Sequence, residues 1–107
     1  MTGKLVRDKI PEIIRASGDR PVTRVADSGE YLGRLGDKLV EEAQETCDAD
    51  REHQADELAD TLEVVYAIAD EIGVSRGDLE KIRENKAAER GGFSQRIIWL
   101  GNEEPGE

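Results

Sequence analysis

The chain has 107 residues, the scale of one domain, with a formal net charge of -10, 37% charged residues and 36% hydrophobic ones. Its acidity argues against nucleic acid as a partner, since non-specific affinity there comes from Lys and Arg neutralising phosphates, and the lone Cys47 excludes an intramolecular disulfide and a cysteine-based zinc site. No apolar run approaches the roughly 18 residues of a membrane span, and the polar N-terminus lacks an apolar leader stretch, so the expectation is a cytoplasmic protein with no membrane partner.

The chain opens with KLVRDKIPEIIRA, in which Pro11 suits the first turn of a short helix carrying Ile13 and Ile14, stopped at Gly18. Val22, Thr23 and Val25 alternate and read as an extended segment. Ser28 is the expected N-cap of a long helix reaching about Cys47, with Leu32, Leu35, Leu39, Ala43 and Thr46 at helical spacing. Gly33 and Gly36 weaken that helix without breaking its pattern.

After the polar turn DADRE, a second helix from about Glu52 to Ile72 carries Ala55, Leu58, Leu62, Val65, Ala69 and Ile72 on one stripe and ends at Gly73. Ser75 and Asp78 open a third long helix through about Glu89, closed by Gly91 and Gly92. Beyond it, RIIWL (residues 96–100) has β-branched and aromatic character and is expected to pair with the segment around Val22. The fold class is therefore all-α, a bundle built on a helical hairpin, with a short two-stranded β element from the chain ends. One domain spans residues 1–107, with 101–107 expected to be a disordered tail. The thin core of such a chain favours a homodimer or homotetramer.

Charge is unevenly placed. Residues 28–80 carry four Lys/Arg against sixteen Asp/Glu, whereas residues 1–27 carry six against four. In the acidic middle, Glu41, Glu42 and Glu45 lie on the first long helix as EEAQE, and Glu57 and Asp60 lie on the second as ELAD. Glu42/Glu45 and Glu57/Asp60 are i, i+3 pairs, a spacing that stacks two side chains on one helix face. In an antiparallel hairpin centred on residue 51, Glu42 falls level with Asp60 and Glu45 with Glu57.

Both pairs lie on flanks of the apolar stripes, so four carboxylates would converge at the edge of the helix interface. Their repulsion there is costly unless a cation lies between them. An oxygen-only site favours Mg²⁺ first and Mn²⁺ second. The alternative is a pair of acidic helices whose charges are simply solvated. His53, the only histidine, is read as a surface residue.

The patterns EEAQE and ELAD resemble the EExxE and ExxD motifs of the MazG-like all-α pyrophosphatase superfamily, which includes phosphoribosyl-ATP pyrophosphohydrolases. The opening KLVRDKIPEII and the later ENKAAERGGF with RIIWL are similar to its small house-cleaning members. One departure is the spacer of eleven residues between Glu45 and Glu57, at or just below the short end for the superfamily. The resemblance implies metal ligation by Glu42, Glu45, Glu57 and Asp60, with Glu41 as a further acidic residue of the motif. It places Asn85, Lys86 and Arg90 where the family contacts substrate, with Arg7 and Lys9 as weaker phosphate contacts.

Lys86 and Arg90 also form an i, i+4 basic pair near a helix C-terminus, where cations suit the macrodipole without any ligand. The implied activity is Mg²⁺-dependent hydrolysis of a non-canonical or surplus nucleoside triphosphate to monophosphate and pyrophosphate. Glu41 or Glu45 is the expected group acting on the attacking water. Phosphoribosyl-ATP pyrophosphohydrolase and a non-enzymatic acidic interaction module are the alternatives. The absence of GxxxxGK[ST] excludes a P-loop mechanism.

Overall fold

The computed structural model describes residues 3–104 and Gly106, which contain four helices and no strand. These are α1 (Ile10–Ala16), α2 (Ser28–Asp48), α3 (Gln54–Glu71) and α4 (Arg76–Arg90). The all-α class follows directly. Pro11 sits in the first turn of α1, where its missing N–H costs nothing, and Gly18 leaves the helix at φ +97, a conformation that disfavours a side chain.

The cap of α2 is Asp27, one residue before the expected Ser28, and its carboxylate accepts the Glu30 N–H. Such a cap stabilises a helix by about 1 kcal/mol. Arg24 reinforces this turn by forking onto Glu30 at 2.7 and 2.6 Å. At the far end of α3, Gly73 takes φ +80 and the Val74 N–H reaches back to the Ala69 carbonyl at 2.8 Å. That is the six-to-one bond of a Schellman ending.

The chain divides into two compact units, one extending through Arg76 and the other starting at Gly77. In the first unit, α2 and α3 pack together as a helical pair. Its buried apolar side chains among the described residues are Leu35, Val64 and Ala69, each contributing a few kcal/mol at most. The second unit holds nearly all of α4, where Arg83 forks onto Glu80, and the segment in which the Trp99 indole N–H donates to Asn102. No helix among the described residues is long and apolar enough to cross a membrane.

Two expectations need correction. Neither Val22–Val25 nor residues 96–100 form a strand; Val22 and Leu100 are almost wholly exposed. β-branched composition suits a pleated surface, but a strand exists only where a neighbour completes its hydrogen bonds. The seam of the helix pair is also rotated. Glu57, Thr61, Val64 and Ile68 share a half-buried or buried face of α3, while Leu58, Leu62 and, just past the helix end, Ile72 of the expected stripe are 57%, 47% and 59% exposed; of the same stripe, Val65 is half-buried and Ala69 is buried. The stripe stands about a quarter turn from the face that meets α2.

Of the expected tail, Pro105 and Glu107 lie outside the described residues.

Candidate functional site

The rotation of α3 moves carboxylates from the edge of the helix pair into its middle. Glu42 lies on the same face of α2 as Leu35 and Thr46, and it is only 7% exposed. Glu57 takes the equivalent position on α3, in line with Thr61 and Val64. One turn away, the Thr46 and Thr61 hydroxyls meet across the seam at 3.1 Å.

One carboxylate oxygen from each of Glu42, Glu57 and Asp60 falls within 4.8 Å of the other two. Oε2 of Glu42 and Oε2 of Glu57 are buried and have no hydrogen-bond partner. An ionised oxygen in that position is costly, and a hard divalent cation would satisfy both at once. The donor set therefore fits Mg²⁺ or Mn²⁺.

Glu45 is the fourth of the expected ligands. It stands beside Glu42 on α2 and acts on it electrostatically, but it is not among the three groups whose oxygens converge. Glu42 approaches Glu57 as well as Asp60, the residue expected at its level. Glu41 faces outward, 43% exposed, and pairs with Lys38 at 3.8 Å.

The electrostatics of the cluster are set by burial and by two cations. Burial pushes the Glu42 carboxyl above its usual range, and the Glu45 carboxylate adds to the shift. Lys38 opposes it, its Nζ lying 3.5 Å from Glu42 Oε1. Sequence reasoning passed over Lys38, although its i, i+3 and i, i+4 spacing to Glu41 and Glu42 was available. The second cation is Arg7, whose Nη2 donates to Asp60 Oδ1 at 2.7 Å. Both side chains of that pair are about half exposed, so it contributes about 1 kcal/mol or less.

Arg7 belongs to an N-terminal segment tied to α2 by the Arg34 guanidinium, which donates to the Gly3 carbonyl at 2.8 Å. Between this segment and the helix pair lies a groove of about 360 Å³. Tyr31, Leu35, Val64 and Ala67 give it an apolar floor, and Lys38 and Glu63 add charge. Lys9 also lines the groove, as a phosphate contact would require. Tyr31 and Glu63 carried no motif and were not legible as site residues.

Asn85, Lys86 and Arg90 are exposed on α4, with Arg90 in its last turn. His53 is exposed in the hairpin turn, with Nδ1 2.6 Å from Asp50 Oδ1. It groups there with Asp50 and Glu52. Asp50 also accepts the His53 N–H, which accounts for the arrangement as turn structure.

A family profile described as phosphoribosyl-ATP pyrophosphohydrolase matches residues 11–89, a stretch that includes the whole α2–α3 pair. The chain belongs to the phosphoribosyl-ATP pyrophosphohydrolase family. That family lies within the MazG-like all-α superfamily, as the acidic motifs implied. Arg7 and Lys9 precede the stretch matched by the phosphoribosyl-ATP pyrophosphohydrolase profile, and Arg90 follows it.

An uncharacterized protein of Mycolicibacterium smegmatis (strain ATCC 700084 / mc(2)155) is 53% identical over 47 residues. The match covers 44% of this chain and 48% of that protein, so the chain spans about half the length of the curated relative. No solved structure matches the chain.

Proposed function

We propose that this protein is a Mg²⁺-dependent nucleotide pyrophosphohydrolase that cleaves nucleoside triphosphates to monophosphate and pyrophosphate. The observation carrying this reading is the convergence of Glu42, Glu57 and Asp60, with two buried carboxylate oxygens unpaired, in the middle of a helix pair. A purely solvated acidic face would hold its charges outward, as Glu41 does.

Glu42, Glu57 and Asp60 would hold Mg²⁺, with Glu45 as a fourth ligand or as the group acting on water. Bound there, Mg²⁺ supplies Lewis-acid polarisation of phosphate oxygens and an acidified water. Glu45 is the better base of the two carboxylates considered, because Glu41 is turned outward onto Lys38. A base not fully engaged in ligation can accept the proton of the attacking water as it adds to the α-phosphorus.

Lys38 favours the ionised form of Glu42, opposing part of the effect of burial. The groove beside the cluster accommodates an apolar ring face against Tyr31, Leu35 and Val64, and Arg7 and Lys9 face anionic groups there. Asn85, Lys86 and Arg90 are proposed substrate contacts on the family resemblance and on their charge.

Phosphoribosyl-ATP is the second substrate reading, favoured by the family profile over residues 11–89. Both readings release pyrophosphate, so one experiment separates them. Pyrophosphate release is measured with and without Mg²⁺ on canonical and modified nucleoside triphosphates and on phosphoribosyl-ATP. Turnover of triphosphates supports the first reading, and turnover of phosphoribosyl-ATP alone supports the second. No turnover of any nucleotide would leave an acidic interaction module as the better description.

A further inference from the structure

We propose that Arg7 and the divalent cation exchange at Asp60, so that loading the cluster frees Arg7 to grip the substrate's phosphates. This rests on the reading of Glu42, Glu57 and Asp60 as the cation site. Arg7 Nη2 lies 2.7 Å from Asp60 Oδ1, and the Asp60 side chain is 43% exposed, whereas Glu42 and Glu57 each keep a carboxylate oxygen buried, so Asp60 is open to an incoming ion. A guanidinium held at that distance puts a positive charge next to the position where a dication would sit. Two such charges repel strongly even at a partly solvated site.

The weaker partner yields. The Arg7 pair is about half exposed on both sides, hence readily separated, whereas a dication is drawn by three carboxylates, two with buried oxygens that nothing else satisfies. Lys38 does not share this freedom. Its side chain is only 19% exposed, and it is held by Glu41 and Glu42 together.

Arg7 also lines the groove beside the cluster, so once displaced it remains over the space a nucleotide would enter. A planar guanidinium grips phosphate oxygens in a bidentate manner. The cation would thereby prepare a second binding group, and cation and nucleotide would bind with positive coupling.

The test is Mn²⁺ binding to the full chain without nucleotide, followed by electron paramagnetic resonance of the free ion, for wild type, Arg7→Gln, Arg7→Lys, Glu57→Gln and Arg15→Gln. Arg7→Gln should bind Mn²⁺ about two- to fivefold more tightly, reflecting removal of an exposed competing cation. Its KM for nucleotide should rise about tenfold through loss of a charged phosphate contact. Arg7→Lys should keep the competing charge and recover part of the KM.

Arg15→Gln, on α1, should change neither quantity. Unchanged or weaker Mn²⁺ binding in Arg7→Gln, with Glu57→Gln still weakening it, would overturn the exchange and leave the cation site intact. If Glu57→Gln left Mn²⁺ binding unchanged, the cation site itself would fall and the exchange with it. Thermal melts of each variant establish that the fold is retained.

Discussion

Thr46 and Thr61 touch hydroxyl to hydroxyl at 3.1 Å across the α2–α3 seam, and each also lies within bonding distance of the carbonyl four residues before it. Those carbonyls belong to Glu42, at 2.9 Å, and Glu57, at 3.0 Å. Two hydroxyl protons serve three contacts, so one contact is always unbonded. The threonines thus tie the backbones of the two carboxylate residues to a single cross-helix point. The register that brings Glu42 and Glu57 together is fixed there, one turn away.

The first prediction concerns Glu57→Gln, which keeps size and polarity while removing one charge. Without cation the variant should equal or exceed the wild type in stability, because like-charge repulsion falls. Mg²⁺ should raise its melting temperature less than it raises that of the wild type, since weaker binding reduces the linkage contribution. Pyrophosphate release should fall by about two orders of magnitude or more. Glu71→Gln, exposed at the end of α3, is the control; loss of turnover there, or full turnover in Glu57→Gln, would contradict the ligand assignment.

The pH dependence of stability carries a signature of Glu42. Burial raises its pKa in the folded state, so the folded protein keeps that proton to higher pH than the unfolded chain. Stability from this group is therefore fully present below the ordinary carboxylate value and is lost as pH rises through the raised one. Denaturant midpoints measured from about pH 4 to about pH 7 should decline in the wild type and flatten in Glu42→Gln. Saturating Mg²⁺ should oppose the decline.

Glu30 acts with the opposite sign. Its hydrogen bond from Arg24 draws its pKa down to about 2, so its contribution is present above the ordinary value and is lost as pH falls through about 2.

A dimer or larger assembly is expected from the apolar side chains left exposed on and just past α3. Leu58 and Leu62 on α3 and Ile72 at its C-cap are 57%, 47% and 59% exposed, and together they form the kind of face that a second copy of the chain would cover. Light scattering at micromolar concentration should give at least a dimer. Leu62→Glu should shift the mass towards the monomer and lower the melting temperature; a monomeric wild type would refute the assembly outright.

Gly33 offers a test of local helix energetics. It lies within α2, and a Cβ placed there meets nothing within 4 Å. Gly33→Ala should stabilise the protein by about 0.5–1 kcal/mol through helix propensity, measured by urea unfolding. A loss instead would show that another copy of the chain approaches the α2 backbone at this point.

Much of this was legible in the sequence because it is local. Helix spans follow from caps, glycine stops and spacing, and the i, i+3 placement of Glu57 and Asp60 follows from helix geometry alone. The orientation of α3 was not legible. The stripe from Leu58 to Ile72 has the right period, but periodicity cannot say which neighbour covers it, and here Glu57, Thr61 and Val64 face α2 instead. The Arg7 bond to Asp60 spans 53 positions of sequence, and nothing in the pattern around Arg7 marks its partner.

Glu42 occupies a place where a leucine would pack well, at the centre of a seam whose apolar neighbours are few. A Glu42→Leu change would remove an unpaired buried oxygen and add apolar contact, improving the hairpin as a piece of folded chain. It would also remove one of the three carboxylates proposed to hold the cation. Selection for heat resistance alone would therefore drift away from activity at this position, and persistence of an acidic residue among functional variants would be a record of catalytic need.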